Sequence, residues 1–334
     1  MSDIRMGLIG LGAMGRNHAR VLQTLDGVEF AGVFDPMWDE PTFNGTPAHG
    51  SAEELLGSNL DGCIIAAPTS EHEVLATLAA ESDVSVLVEK PLAPSADAAV
   101  RLTRLFEERG LVGAVGHIER FNPATVGLHQ RLQSGDLGDL YQLATRRQGP
   151  FPARIRDVGV IMDLATHDID LTQWVTDSRY RSLHAWTAHK SGRDHEDLVM
   201  SGGVMTSGLI VSHHVNWLSA AKERLTVVTG EGGTMVADTL NADLYYYENR
   251  VADTEWPALA VFRGVGEGDM TRFALNRREP LLVELEGFRD AIRGDSRNIV
   301  PFDDGAEVVR IAEAMIASAA SANVVVLGDS TTSG

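Results

Sequence analysis

Three groups of residues in this 334-residue chain have types and spacings that could do chemistry. The first is Gly10-Leu11-Gly12-Ala13-Met14-Gly15, between a short apolar run and a helical pattern. Glycines so placed permit a tight turn, close approach to a pyrophosphate and close packing of helix on strand. The positive end of the helix dipole favours phosphate there. The plain alternative is a glycine-rich turn without function. The second is Glu89-Lys90-Pro91, after another apolar run; Lys90 is one of three lysines, with Lys190 and Lys222. Its ammonium can serve a reacting group or sit in a surface ion pair. The third is Asp163 and His167, four residues apart in a helical pattern and therefore on one face, a stripe that Asp170 and Trp174 extend. Imidazole titrates near pH 6.5, which suits proton transfer near neutrality. An Asp-xxx-His pair alone is equally compatible with a helix cap or a solvated pair.

Elements that could hold these groups are legible on either side of them. Apolar runs Met6–Ile9, Phe30–Phe34, Cys63–Ala67, Val84–Val88 and Leu111–Val115 alternate with helical patterns over His18–Leu25, Glu71–Glu81 and Ala96–Glu108. Continuous apolar strands separated by helices predict a parallel sheet covered on both faces, a Rossmann-type doubly wound domain over residues 1–120. Beyond it the grammar changes. Helices are expected over Pro123–Gln133, Val160–Val175, Leu281–Arg293 and Ala306–Ala322. Strands are expected over Leu140–Arg147, Ser182–Thr187, Leu198–Met205, Gly208–Val215, Arg224–Thr229, Thr234–Asp238 and Asp243–Glu248. Consecutive strands without intervening helices predict an α+β domain over 121–330 with a large, mostly antiparallel open sheet. Val251–Arg278 carries no pattern and reads as a covering loop or an interface arm.

In the first domain the glycine motif sits at the strand-to-helix junction where a dinucleotide is held, with contacts expected from Gly10, Gly12, Ala13, Met14 and Gly15. Asp35 ends the second strand, 20 residues after Gly15. A carboxylate there can accept from ribose hydroxyls and repels a 2′-phosphate, so NAD is expected rather than NADP. Asp35 could instead be a turn residue before Pro36. Ala67, Pro68 and Thr69, with Glu89 and Lys90, lie on the same carboxyl edge and complete the expected cofactor contacts.

Composition narrows the partners. A net charge of −19 disfavours nucleic acid and acidic membrane surfaces. No apolar stretch reaches membrane-span length, and the N-terminus lacks the pattern of a secretory signal. Cys63 is the single cysteine, which excludes an intrachain disulfide and fits the reducing cytoplasm. No ligand cluster accompanies His167, so no metal is expected.

Taken together, Gly10–Gly15, Glu89-Lys90-Pro91, Gly116-His117 and Asp163-Leu164-Ala165-Thr166-His167 resemble, in order and spacing, the Gfo/Idh/MocA oxidoreductases over essentially the full length. The resemblance implies a Lys90–Asp163–His167 catalytic set, a cis Lys90–Pro91 peptide, and a homodimer or homotetramer formed through the open sheet. The chemistry of each group then suggests its role. His167 would act as general base, Asp163 would hold substrate hydroxyls or stabilise the imidazolium, and Lys90 would donate to the reacting oxygen.

Gly116–Pro123 and Asp157–Asp163 are similar to the branch that oxidises the 3-hydroxyl of UDP-N-acetylglucosamine or its uronic acid. That adds His117, Arg120 and Asn122 as expected substrate contacts. Arg146, Arg147, Arg154 and Arg156 form a basic island with no acid among them. Guanidinium forks match phosphate oxygens, so Arg154 and Arg156 are expected on a sugar diphosphate; pairing with some of the 47 acidic residues is the competing account. An inositol or free-sugar dehydrogenase, a keto-sugar reductase and a non-catalytic dinucleotide-binding regulator are the alternative functions.

Overall fold

The five apolar runs of the N-terminal region form one parallel sheet. From the N-terminus run β1 (Ile4–Ile9), α1 (Ala13–Leu22), β2 (Val28–Phe34), a ribbon of β3 (Thr42–Phe43) and β4 (Thr46–Pro47), and α2 (Ala52–Leu56). Then follow β5 (Gly62–Ile65), α3 (His72–Glu81), β6 (Ser85–Glu89), α4 (Ala96–Arg109) and β7 (Gly113–Gly116). The sheet order is β2-β1-β5-β6-β7. Every residue of β5 and β6 is buried, as expected of strands covered on both faces. The computed structural model describes residues 3–151, 158–250, 266–295 and 298–328.

Further along come α5 (Pro123–Gln133), β8 (Leu140–Pro150), a wide-turned segment (Ile161–Ala165) running into α6 (Thr166–Thr176), β9 (Tyr180–Ala188), β10 (Leu198–Met205) and β11 (Ile210–Asn216). The chain continues through β12 (Leu218–Gly230), β13 (Gly233–Asp238), β14 (Asp243–Arg250), β15 (Gly266–Arg272), α7 (Pro280–Arg293), α8 (Phe302–Ser321) and β16 (Val325–Val326). Nine of these strands make a sheet in the order β15-β14-β13-β12-β8-β11-β10-β9-β16, antiparallel except between β8 and β11. Inside it a buried polar link ties three strands. The His213 ring lies 2.7 Å from the Thr145 hydroxyl and 2.6 Å from that of Tyr180. Burial, with the charge of His214, pulls the His213 pKa down to about 3, so this ring is neutral at physiological pH.

Contacts divide the chain into Met1–Ile118 with Glu279–Glu313, and Glu119–Arg278 with Ala314–Gly334. The sequence division at residue 120 therefore assigns α7 and the start of α8 to the other unit. The reason is packing. Leu281, Leu285 and Phe288 of α7 share a core with Met6, Leu8, Leu22 and Ile64, and each such buried side chain contributes about 1.5–3 kcal/mol. Backbone pairing adds to it, with the Val115 amide donating to the Val300 carbonyl at 2.9 Å. Amphipathic periodicity shows that a helix has an apolar face but does not say which core receives it. Of the unpatterned stretch, residues 266–272 form β15 on the edge of the sheet, and residues 251–265 lie outside the described residues.

Candidate active site

At the carboxyl edge of the parallel sheet, β1 turns into α1 through the glycine motif. Gly10 has φ +95°, a left-handed conformation that favours glycine, and a Cβ on Gly15 would overlap the Gly10 carbonyl oxygen. Gly12 is different: its φ is −66° and a Cβ there would meet nothing within 4 Å among the described residues. This opening stands before the first turn of α1, which has no side-chain cap and no acidic residue, so its N–H groups remain available to an anion. Asp35, half-buried at the end of β2, is clamped over this turn. It accepts from the Leu11 amide at 2.6 Å and from the Met37 amide at 2.8 Å. A carboxylate has about four acceptor positions, so lone pairs remain for ribose hydroxyls. Arg16 donates to the Leu11 carbonyl at 2.9 Å and lies over the rings of Trp38 and Phe43. The residues present fit the pyrophosphate and an unmodified ribose of NAD.

Lys90 follows β6 and is joined to Pro91 by a cis peptide. Its neighbours on both sides are fixed by histidines that no motif singled out. His18, fully buried in α1, lies 2.7 Å from the Glu89 carboxylate. Burial alone would raise the Glu89 pKa, but the hydrogen bond and charge of His18, with Lys90 and His72 adding to them, hold it below the usual carboxylate value. On the other side, the His72 ring lies between the carbonyls of Pro91 (2.8 Å) and Ala67 (3.0 Å). It thereby ties the Lys90 loop to the Ala67–Thr69 loop. Both partners are acceptors and a neutral ring has one N–H, so it can donate to only one of them at a time. Burial keeps the His72 pKa low despite those carbonyls. His117, also buried, directly follows the neighbouring strand β7.

In the second unit Asp163 and His167 ride on one continuous helical stretch whose first part is wide. The Thr166 amide reaches back five residues to the Ile161 carbonyl, while the Thr166 hydroxyl takes the Met162 carbonyl at 3.1 Å. The side chain thus displaces the amide from its ordinary partner and opens the turn. A wide turn needs more than four residues to close and an α-turn fewer than four. A mixed stretch therefore sets residues four apart close to one full turn, which aligns Asp163 and His167 better than a plain α-helix would. Asp163 is buried and His167 half-buried. The start of the segment is capped from outside: the Glu196 carbonyl accepts from Val160 and its carboxylate from Ile161, each at 3.0 Å. A Cβ on Gly159 would collide with that carboxylate.

The helix behind His167 is staked by two arginines. Arg147, 4% exposed, donates to Asp168 at 3.0 Å and to Glu119 at 2.7 Å. Burial disfavours its charge, but those two carboxylates outweigh that and raise its pKa. Arg120 makes a multidentate pair with Asp170, with a shortest distance of 2.6 Å, and lies over the Trp174 ring. Arg120, expected on substrate, and Arg147, a member of the basic island, each pair with a carboxylate of α6. Asn122, expected on substrate, caps α5 through the Ala124 amide and donates to the Thr239 carbonyl, each at 3.0 Å. Arg146 is exposed and faces Glu223 at 3.3 Å, while Arg154 and Arg156 lie outside the described residues. Arg224, which sequence did not single out, donates to the Gln148 carbonyl at 2.8 Å. Burial and then the nearby charge of Arg147 lower its pKa, against the pull of Asp168, Glu119 and Asp163.

Residues 4–117 match a family model described as an oxidoreductase family with an NAD-binding Rossmann fold, and residues 126–236 match the GFO/IDH/MocA C-terminal domain. A UDP-N-acetylglucosamine 3-dehydrogenase of Acidithiobacillus ferrooxidans is 30% identical over 87% of this chain and 90% of its own. A solved structure of that enzyme superposes with a TM-score of 0.82, covering 96% of this chain and 99% of the other at 27% identity. An inositol 2-dehydrogenase of Acidothermus cellulolyticus is 32% identical, over 59% of this chain and 60% of its own.

Proposed function

The chain belongs to the Gfo/Idh/MocA family of NAD-binding oxidoreductases, and from that premise we propose that it oxidises a secondary hydroxyl of a nucleotide sugar, the 3-hydroxyl of a UDP-N-acetylhexosamine or of its uronic acid. The observation that carries this reading is coverage. Similarity to the UDP-sugar enzyme runs through 87% of the chain, whereas similarity to the inositol 2-dehydrogenase of Acidothermus cellulolyticus covers 59%. The second reading, an inositol or free-sugar dehydrogenase, rests on the slightly higher identity within that shorter stretch, 32%.

When bound, NAD supplies the two-electron acceptor. Gly12, the start of α1 and Asp35 would hold it. The chain's own residues manage the proton. His167 takes it from the substrate hydroxyl, Asp163 orients the substrate or stabilises the imidazolium, and Lys90 donates to the oxygen as alkoxide character develops. His167→Ala should lower kcat about 10²- to 10⁴-fold and leave NADH affinity unchanged. The deciding assay follows reduced-cofactor absorbance with a panel of UDP-sugars, inositols and free sugars. Turnover confined to UDP-sugars supports the reading; turnover of inositols or free sugars at equal efficiency overturns it.

A homodimer or homotetramer through the outer face of the large sheet completes the proposal. Trp186 and Met200, directly opposite one another on β9 and β10, are 56% and 47% exposed and would give such an interface an adjacent apolar pair. Light scattering on Trp186→Glu should show a smaller species than the parent.

A further inference from the structure

Three strands of the large sheet come together at one end. β8 leaves the sheet after Pro150, β11 ends at Asn216, and β10 begins at Leu198, with Leu198, Asn216 and Gln148 in register across the three. Beside that end, Arg193 stands over two aromatic rings, 4.8 Å from the Phe151 centroid and 5.2 Å from that of Trp217. The rings themselves meet edge to face at 5.5 Å. One terminal nitrogen of Arg193 donates to the Val158 carbonyl at 3.0 Å. The other, Nη1, is buried and has no partner among the described residues, and the same holds for Nε1 of Trp217, a side chain only 3% exposed.

Two buried donors, one of them charged, thus share a cluster in which neither has an acceptor among the described residues. Desolvating such groups is unfavourable unless an acceptor arrives. The cluster is tied to the segment that carries Asp163. Val158, which Arg193 holds, lies five residues before Asp163, and Glu196, three residues after Arg193, caps that segment.

We propose that Arg193 and Trp217 form an anion subsite of the substrate pocket, taking phosphate oxygens or a carboxylate of the sugar substrate. The proposal deepens, and rests on, the reading of the chain as a sugar-oxidising enzyme. A guanidinium held beside two aromatic rings and tied to the Val158 carbonyl has less freedom left to lose, and its remaining N–H groups suit an oxyanion acceptor. The indole N–H adds a second, fixed donor. This assigns to residues before β10 and after β11 the role that sequence reading gave to Arg154 and Arg156.

The test is equilibrium binding, which needs no turnover, with three probes: uridine diphosphate, glucuronate and neutral N-acetylglucosamine. In Arg193→Ala the Kd of the anion that the site takes should rise tenfold or more, since hydrogen bonds from a charged donor are worth about a factor of ten or more. Trp217→Phe keeps a ring, removes the donor, and should raise the same Kd by about three- to tenfold. Neutral N-acetylglucosamine should be unaffected in both. A response to uridine diphosphate identifies phosphate as the anion, and a response to glucuronate identifies the carboxylate. Anion affinities equal to the parent's in both variants overturn the subsite, as does an equal loss for the neutral sugar, which would reduce Arg193 to a brace on Val158. If Arg193→Ala does not fold, Trp217→Phe alone decides. Turnover of a UDP-sugar and of its uronic acid, both with unchanged KM in both variants, would sink the subsite and leave the functional reading intact. Arg193-dependent anion binding by an enzyme that turns over only inositols would do the reverse.

Discussion

At the carboxyl edge of the parallel sheet, the groups that fix the edge are mostly backbone amides and carbonyls. Leu11 and Met37 amides clamp Asp35, and the carbonyls of Ala67 and Pro91 flank His72. Around α6 the fixing is done by charged side chains. Arg147 bridges Asp168 and Glu119, and Arg120 grips Asp170. The difference is one of failure mode. A backbone-built edge is inherited from the strand geometry and survives the loss of one side chain. A buried ion pair that loses one partner leaves an uncompensated charge in a low-dielectric setting.

The largest loss is expected from Arg147→Met. It strands Asp168 and Glu119, and should cost about 3–5 kcal/mol in chemical denaturation. Replacing Asp168 by Leu in the same chain should recover much of the loss, because an apolar replacement of a buried pair is often close to neutral. A single-variant cost below about 1 kcal/mol would mean that the arginines do not stake α6.

A smaller loss is expected at the Rossmann edge from His18→Ala, which leaves the buried Glu89 carboxylate without its donor, at about 1–3 kcal/mol. His18→Gln, which keeps an N–H donor, should restore most of it. Weaker NADH binding by the alanine variant, with recovery in the glutamine one, would mark His18 as a positioning residue for the Lys90 loop. Unfolding curves that superpose with the parent's would count against any such role.

The same contrast between backbone and charge explains what could be read in the sequence. The glycine motif, Asp35 and the Glu89-Lys90-Pro91 turn are local strings at strand ends, and a parallel sheet brings strand ends together automatically. The pairing of Arg120 with Asp170 spans 50 residues and that of Arg147 with Glu119 spans 28. No local pattern distinguishes an arginine destined for a buried carboxylate from one destined for a phosphate. That is why the sequence leaves Arg147 open between a phosphate and an acidic partner, and why the pairing of Arg120 with Asp170 is not legible in it. His18 was legible in principle: a histidine three residues beyond Gly15, on the buried face of α1, has few partners within reach except the ends of neighbouring strands. The wide turn before α6 depends on which carbonyl the Thr166 hydroxyl chooses, and residue types alone do not carry that choice.

Two buried glutamates respond to pH in opposite directions. Burial, with the charge of Glu89 adding, raises the pKa of Glu284 on α7 well above its ordinary value, and neither of its oxygens has a partner among the described residues. As pH rises from the ordinary value of about 4.3 toward the folded one, the unfolded chain releases a proton that the folded chain keeps. Stability contributed by Glu284 is therefore full in acid and lost over that window, by up to about 1.4 kcal/mol per pH unit. Glu89, whose pKa is lowered, behaves oppositely: its contribution is present above the ordinary carboxylate range and lost as pH falls through the folded value. Glu284→Gln should match the parent at pH 4 and exceed its stability at pH 8. Parallel stability curves across that range would show that Glu284 ionises alike in folded and unfolded chains.

The smallest change in stability is expected at Gly12, and it separates folding from cofactor binding most cleanly. A Cβ at Gly15 would overlap the Gly10 carbonyl oxygen, so Gly15→Ala must displace backbone. At Gly12 the same Cβ meets nothing within 4 Å among the described residues, and φ of −66° suits any residue. Gly12→Ala should leave the unfolding midpoint unchanged, or raise stability by about 0.4–1 kcal/mol through a less disordered unfolded chain. NADH fluorescence titration should nevertheless show a weaker complex if the pyrophosphate approaches the helix start as proposed, because the added methyl would stand in that approach. If Gly12→Ala binds NADH as tightly as the parent, the opening before α1 is not where the phosphates sit. The glycines would then serve only the packing of helix on strand, the role Gly15 fills by geometry alone.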